Sequence, residues 1–430
     1  MTMRNETIFK KDFMLVAAGQ IISLFGNQIL RYALPLYLLN QTGSSALFGT
    51  ILACSFIPTL LLFPIGGILA DRVNKRNIMV ILDLSTAILI FLFYLLSGQM
   101  DIVPLMTVTM MILYGIQGAY QPAVQASVPS LVDTEHIMQG NSVIDLISSL
   151  ANMTGPVIGG ILFSVFGLTP ILYVSFGCFL ASAVMEMFIH IPFEKKKTTG
   201  NIIAMGFHDL KDSFGFMFKK QPVLWKVSLA FASINLLLTS LIMVGIPVII
   251  TLHLGFAADT ANRLYGYAQG AIAAGSILGS LLAGVFSKKL KLKSSPFILA
   301  GCAMCILLGG FALQLFTESM AVYIVLITGC SLLLAMTTLF SIQVLTCLQI
   351  LTPIELTGKV LSCVLCICMC TNPLGQFMYG IVFEHIGSVT YVPFYGAGLI
   401  MLVISLLTRR IFFGIDQLME THTIVKKGKI

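Results

Sequence analysis

Three acidic side chains lie where an acid is expensive to keep. Asp83, Asp145 and Glu186 each sit inside or at the edge of a long apolar run. An ionisable group within a membrane span is a functional candidate by default, because it must find a partner, bind a proton or face water. Asp83 lies about one turn into its run, Asp145 about one turn into another, and Glu186 near the end of a third. All three fall toward the side marked by basic loops, as do Asp71 and Arg72. One chemistry for such a group is an inner gate, a charge cluster that holds one state of a cycle and breaks in the next. The other is snorkelling, in which each head reaches the lipid headgroups. The gate reading fits Asp71 and Asp145 best, and for Glu186 the two readings stand level.

Arg31 differs. It lies 18 residues beyond Phe13, which at ~1.5 Å per residue puts it ~27 Å along the first helix, in its outer part. It can pair with an acid there, meet an anionic group of a substrate, or snorkel outward. His190, His253 and His385 fall near run ends, where interfacial positions are the simpler account than proton relays. Ten cysteines lie almost wholly inside apolar runs, including Cys302 and Cys305 at redox spacing and the alternating Cys366, Cys368 and Cys370. Without polar neighbours they read as small packing residues, not as a redox or metal site. No His-Glu-x-x-His, paired-Asp motif, nucleophile elbow or ATP-binding loop is present. Enzymatic chemistry has no residues to work with, no cofactor is implied, and no pore ring suggests a channel.

The elements that position these groups follow from composition. Of 430 residues 57% are apolar and 10% charged, with a mean hydropathy of +0.96; soluble domains carry about a quarter charged residues. Apolar runs fall near 13–39, 46–70, 78–97, 102–126, 142–166, 169–192, 222–252, 263–286, 296–316, 320–346, 360–384 and 389–412. Each is long enough for a span of roughly 20 residues. Of 25 Lys and Arg residues, all but Arg31 and Arg263 fall in, or at the run ends bordering, one alternating set of gaps. The positive-inside rule makes that side cytoplasmic and places both termini there. The net charge of +7 therefore reads as orientation and contact with anionic lipid, not as a nucleic-acid footprint. The N-terminal basic residues precede a run without a clear cleavage site, which reads as a retained first helix.

The longest polar interruption, 193–221, divides the chain into a six-helix bundle over 1–192 and a second over 222–430, joined by a cytoplasmic linker. Landmarks repeat across the division. Gly67 and Gly284 are 217 residues apart, Pro156 and Pro373 are 217 apart, and Gly140 and Gly358 are 218 apart. Such echoes indicate duplicated bundles, and the expected fold is all-α, with twelve transmembrane helices in two bundles of six.

Two motifs carry a family resemblance. The first is the loop Gly67-Ile68-Leu69-Ala70-Asp71-Arg72-Val73-Asn74-Lys75-Arg76. A glycine, an acid four residues on, and flanking basic residues resemble the signature loop of the major facilitator superfamily. Asn74 stands where that family usually has glycine, and asparagine tolerates left-handed backbone better than most residues. The second motif, Gly155-Pro156-Val157-Ile158-Gly159-Gly160 in the fifth span, resembles the Gly-Pro motif of exporters of that superfamily. Proline bends a helix, and glycines admit a close neighbour. The order Pro122-Ala123, Val128 to Val132, Gly140-Asn141-Ser142 and then the Gly-Pro motif resembles the macrolide-efflux and enterobactin-exporter branch, as does Thr42-Gly43-Ser44. The second-half copy of the loop, Gly284 to Lys289, lacks the acid. The fourth span also lacks the embedded arginine that many proton-coupled exporters of the superfamily carry.

The resemblance implies a drug–proton antiporter type of secondary transporter in a bacterial cytoplasmic membrane, working as a monomer. It would export an amphipathic small molecule by alternating access, with protons as the coupling partner. Uptake, or a transporter-like sensor, is the alternative. The polar groups available for a midplane cavity are mostly uncharged: Gln20, Asn27, Gln28, Tyr114, Gln117, Asn152, Asn235, Gln269, Gln343, Asn372 and Gln376, with Arg31 the exception.

Overall fold

Residues 11–133, 136–191, 215, 222–285, 292–352, 354–387 and 389–427 are described by a computed structural model. The segment 193–221, expected to be a linker, lies outside the described residues apart from Gly215, and so do Arg4 and Lys10. Six helices fill the first half: α1 (Lys11–Thr42), α2 (Ser45–Arg72), α3 (Lys75–Leu96), α4 (Ile102–Leu131), α5 (Ile137–Phe166) and α6 (Leu168–Met187). Six follow: α7 over 222–253, α8 (Ala258–Val285), α9 (Ser295–Leu315), α10 (Ser319–Leu351), α11 (Ile354–Ile386) and α12 (Val392–Lys427). Twelve helices among the described residues are long and apolar enough to cross a membrane, and no strand is present among them. In a medium without water, helices satisfy their backbone groups internally, as otherwise only a closed barrel can.

Within each half the described connections are short. A single residue, Gly167, separates α5 from α6; its φ of +73° lies in the left-handed region, which a side chain would disfavour. Helix α7 is not uniform. It opens into π turns at Asn235–Thr239 and Ile249–His253, and such turns often mark functional positions.

The chain divides into two compact units, one of residues 1–199 with 257–270 and the other of 200–256 with 271–430. The sequence division assigns 257–270 to the second bundle, whereas the first turns of α8 group here with the first unit. These turns come close to the α5 backbone: a Cβ at Gly266 would lie 2.8 Å from the Pro156 carbonyl oxygen and 3.0 Å from the Gly160 Cα.

Within the first unit α2 packs on α4, α3 on α6, and α1 on both α5 and α6. Lipid is as apolar as leucine, so helix contacts rely on close approach and polar bonds. A Cβ at Gly66 would strike the Ala119 Cα at 2.7 Å, and one at Gly118 would come 3.0 Å from the Thr59 Cα. Thr59 Oγ1 also donates to the Tyr114 carbonyl oxygen at 2.8 Å. Along α1 and α6 the same device recurs one heptad apart: Ser182 donates to the Gly19 carbonyl oxygen and Ser175 to that of Gly26. Within the second unit α9 packs on α10 and α12, and α7 on α11. A Cβ at Gly279 would meet the Ala335 backbone, and Ser405 donates to the Pro296 carbonyl oxygen at 2.7 Å.

Candidate functional site

Gln20, Ser23, Asn27 and Arg31 recur every three or four residues, so they share one face of α1. The structure sets that stripe against α4, which runs the other way. Gln20 Nε2 donates to the Tyr120 hydroxyl at 2.7 Å, Asn27 Nδ2 donates to Gln117 Oε1 at 3.0 Å, and the Arg31 guanidinium lies 4.0 Å above the Tyr114 ring. These three cross-links form one polar seam between two largely apolar helices. The arginine's partner is thus an aromatic face, in the geometry of a cation–π contact.

At one end the seam runs into the carboxylates. The Tyr120 hydroxyl donates to Glu186 Oε1 at 2.7 Å, and Ser23 donates to Asp83 Oδ1 at 3.1 Å. Ser182 also lies within hydrogen-bonding reach of Asp83. Gln20, Asp83, Tyr120 and Glu186 are all buried, with Asp83 2% and Glu186 1% exposed. Neither acid snorkels. Asp145, which the sequence places at a similar depth in its own span, is instead exposed on α5. The structure does not bring Asp145 into one cluster with Asp83, which is buried where Asp145 is exposed. The side chains of Asp71 and Arg72, in the last turn of α2, lie outside the described residues, as do the surroundings of Gly67.

The rest of the signature loop is described. Asn74 has φ −59° and is not left-handed; its side chain accepts from the Arg76 backbone N–H at 3.1 Å. The residue serves as the N-cap of α3, a role in which asparagine is favoured over glycine by a few tenths of a kcal/mol. Lys75 begins α3, while Arg76 donates to the carbonyl oxygen of Met187 at the end of α6. That bond places a cation where a helix leaves unpaired carbonyls. The exporter-like motif faces α1 and the first turns of α8. Gly155 lies against Gln28, Gly159 against Tyr32 and Ile29, and Gly160 with the Pro156 carbonyl against Gly266. Above them Gln28 Nε2 donates to Asn152 Oδ1, and the Tyr32 hydroxyl donates to the Asn262 carbonyl oxygen. Asn40 donates to Asn262 Oδ1 at 2.9 Å, Tyr32 stacks on Tyr265 at 4.9 Å, and Gln269 donates to the Tyr265 hydroxyl at 2.7 Å.

In the second unit Asn235 opens the first π turn of α7, and its amide donates to the Phe231 carbonyl oxygen at 3.1 Å. Ser240 closes that turn with bonds to the Asn235 carbonyl and to Asn372 on α11. Gly375 lets the two helices approach at that level. Gln376 is fully buried with its amide 3.4 Å from the Met243 sulfur, while Gln343 is tied to Ser295 and Ser294. Ser23, Tyr120, Ser182, Ser240, Tyr32 and Asn262 are the participants that residue type alone did not single out. The signal for Ser23 was its place in the α1 stripe; the others have no local signal.

Residues 16–370 match the family model described as Major Facilitator Superfamily. The uncharacterized MFS-type transporter YfiS of Bacillus subtilis is 24% identical over 404 residues, which cover 93% of each chain. Macrolide efflux protein A of Streptococcus pyogenes is 27% identical over 192 residues, 44% of this chain and 47% of that protein. The crystal structure of the nucleoside transporter NupG superposes with a TM-score of 0.70 at 12% identity, covering 94% of this chain and 99% of that one.

Proposed function

The chain belongs to the major facilitator superfamily, and from that premise we propose that it exports an amphipathic small molecule, macrolide-like in character, driven by a proton gradient. It is a transporter and a multi-pass bacterial membrane protein, not an enzyme. The reading puts both termini in the cytoplasm, following the basic loops, and takes the single chain as the working unit, its two sequence bundles 1–192 and 222–430 alternating access. The observation that carries it is the seam of α1 and α4. Asn27, Gln117 and Tyr114 offer amide and aromatic groups, and Arg31 is the only cation on it. Apolar walls with a few placed hydrogen-bonding groups suit a large molecule of little charge; a phosphorylated sugar or a small ion would call for more fixed charge. The likeness to a macrolide efflux protein points the same way.

The test is accumulation of fluorescent amphipathic compounds, macrolides included, in efflux-deficient cells with and without the chain. Lower accumulation that a protonophore abolishes is the expected result. No difference for any compound, with the protein demonstrated in the membrane, refutes the reading.

A further inference from the structure

Two carboxyl groups sealed from solvent beside one another need more hydrogen-bond donors than this part of the chain supplies. Around Asp83 and Glu186 the side-chain donors are few. The Tyr120 hydroxyl serves Glu186 Oε1, Ser23 serves Asp83 Oδ1, one amide hydrogen of Gln20 serves the Tyr120 oxygen, and Ser182 bonds the Gly19 carbonyl. Three buried acceptor atoms are left with no partner: Asp83 Oδ2, Glu186 Oε2 and Gln20 Oε1. Gln20 is 0% exposed and belongs to the same chain of bonds. No cation enters. From α1 the acids are faced by Gln20 and Ser23, from α4 by Tyr120, and from α6 by Ser182. Arg76 at the start of α3 is committed to the Met187 carbonyl, and Asp12 on α1 accepts from the His190 N–H. Two unpaired negative charges in such a place are strongly unfavourable, and so are unpartnered polar atoms. A proton removes one charge and supplies one missing donor at a single stroke, without needing room.

We propose that Asp83 and Glu186, bridged through Ser23, Tyr120 and Gln20, form a reversible proton-binding site inside the first unit, and that it carries the coupling proton of the export cycle. The inference rests on the proposed proton-driven export, but its site can be tested apart from transport. An apolar carbodiimide adds to a carboxyl in apolar surroundings only when that carboxyl is protonated. Full-length wild-type chain in lipid vesicles is treated with dicyclohexylcarbodiimide across a pH range, in sodium or in choline buffer, and the adduct is mapped by mass spectrometry. The expected result is an adduct on Asp83 or Glu186 that fades as pH rises and is indifferent to sodium. No adduct on either residue at any pH overturns the site, and protection by sodium overturns it in favour of a metal-cation site. The second measurement uses Asp83→Asn and Glu186→Gln, which keep side-chain volume, in the accumulation assay. Each should abolish the protonophore-sensitive part of export. Full proton-driven export by both variants would sink the inference while leaving the proposed function standing. Adduct formation in a chain that exports no compound would do the reverse.

Discussion

Replacing Gly160 with alanine tests a close crossing in the first unit, that of α5 with the first turns of α8. A methyl carbon there would lie 2.9 Å from the Gly266 Cα, 3.0 Å from the Tyr32 hydroxyl and 3.1 Å from the Asn262 carbonyl oxygen. The tyrosine tip can swing aside, but the Gly266 Cα is the backbone of another helix. Carbon atoms rest about 3.5–4.0 Å apart, so α5 and the first turns of α8 must part by roughly 0.6–1.1 Å. Overfilling a well-packed contact costs about 1–3 kcal/mol; at about 1.4 kcal/mol per tenfold, the folding equilibrium falls roughly 5- to 150-fold. Gly266→Ala inserts its methyl 3.0 Å from the Gly160 Cα and forces the same separation from the other side. Once one methyl has parted the helices, the second enters a gap already opened. The double variant should therefore lose less than the sum of the singles, by about 0.5 kcal/mol or more.

The assay is reversible unfolding by SDS titration in mixed micelles, with helicity followed by circular dichroism. Gly177→Ala is the control: nothing lies within 4 Å of a methyl at that position, and the variant should stay within about 0.5 kcal/mol of wild type. Single variants as stable as the control, or losses that simply add, would refute the idea that one shared crossing is being filled.

Three further perturbations have definite outcomes. Asp71→Asn should reduce export in the accumulation assay with no loss of protein from the membrane; unchanged export would remove the gate reading of that acid. Tyr120→Phe takes the acceptor from the Gln20 amide and the donor from Glu186. Leaving those buried groups short of partners should cost about 1–3 kcal/mol in the SDS titration, and a neutral result would mean that water or a rearranged side chain fills the gap. Ser240→Ala deletes the hydroxyl that bonds the Asn235 carbonyl and Asn372, so the same titration should register about 0.5–1.5 kcal/mol.

The spans were readable in the chain because a membrane imposes rules that act along it. Each needs roughly 20 apolar residues, so each of the twelve runs corresponds to a helix. The ends were less readable, since hydropathy marks where lipid stops and not where hydrogen bonding stops. The run ending at 126 belongs to a helix that continues to Leu131, and α12 passes beyond its run to Lys427. At α3 the start was set by chemistry of a different kind, the Asn74 side chain on the Arg76 N–H. The sequence offered Asn74 only as a substitute for a turn glycine.

The acids mark the limit of that reading. Asp83 and Asp145 look alike along the chain, each about one turn into a span, yet one is buried beside a second carboxyl and the other is exposed. Depth in a span follows from counting at ~1.5 Å per residue; the direction in which a side chain points depends on what the neighbouring helix presents. For Asp83 that is a stripe on α1 with Ser23 at its level, 60 residues away, and for Glu186 it is Tyr120 on α4, 66 residues away. A lone charge on a helix therefore says little about its role. A polar stripe at three- and four-residue spacing on another span says more, because a buried acid must find its donors there or take a proton. On that criterion Gln20, Ser23, Asn27 and Arg31 were the most informative residues in the first span, and Asp145 has no stripe among them to meet.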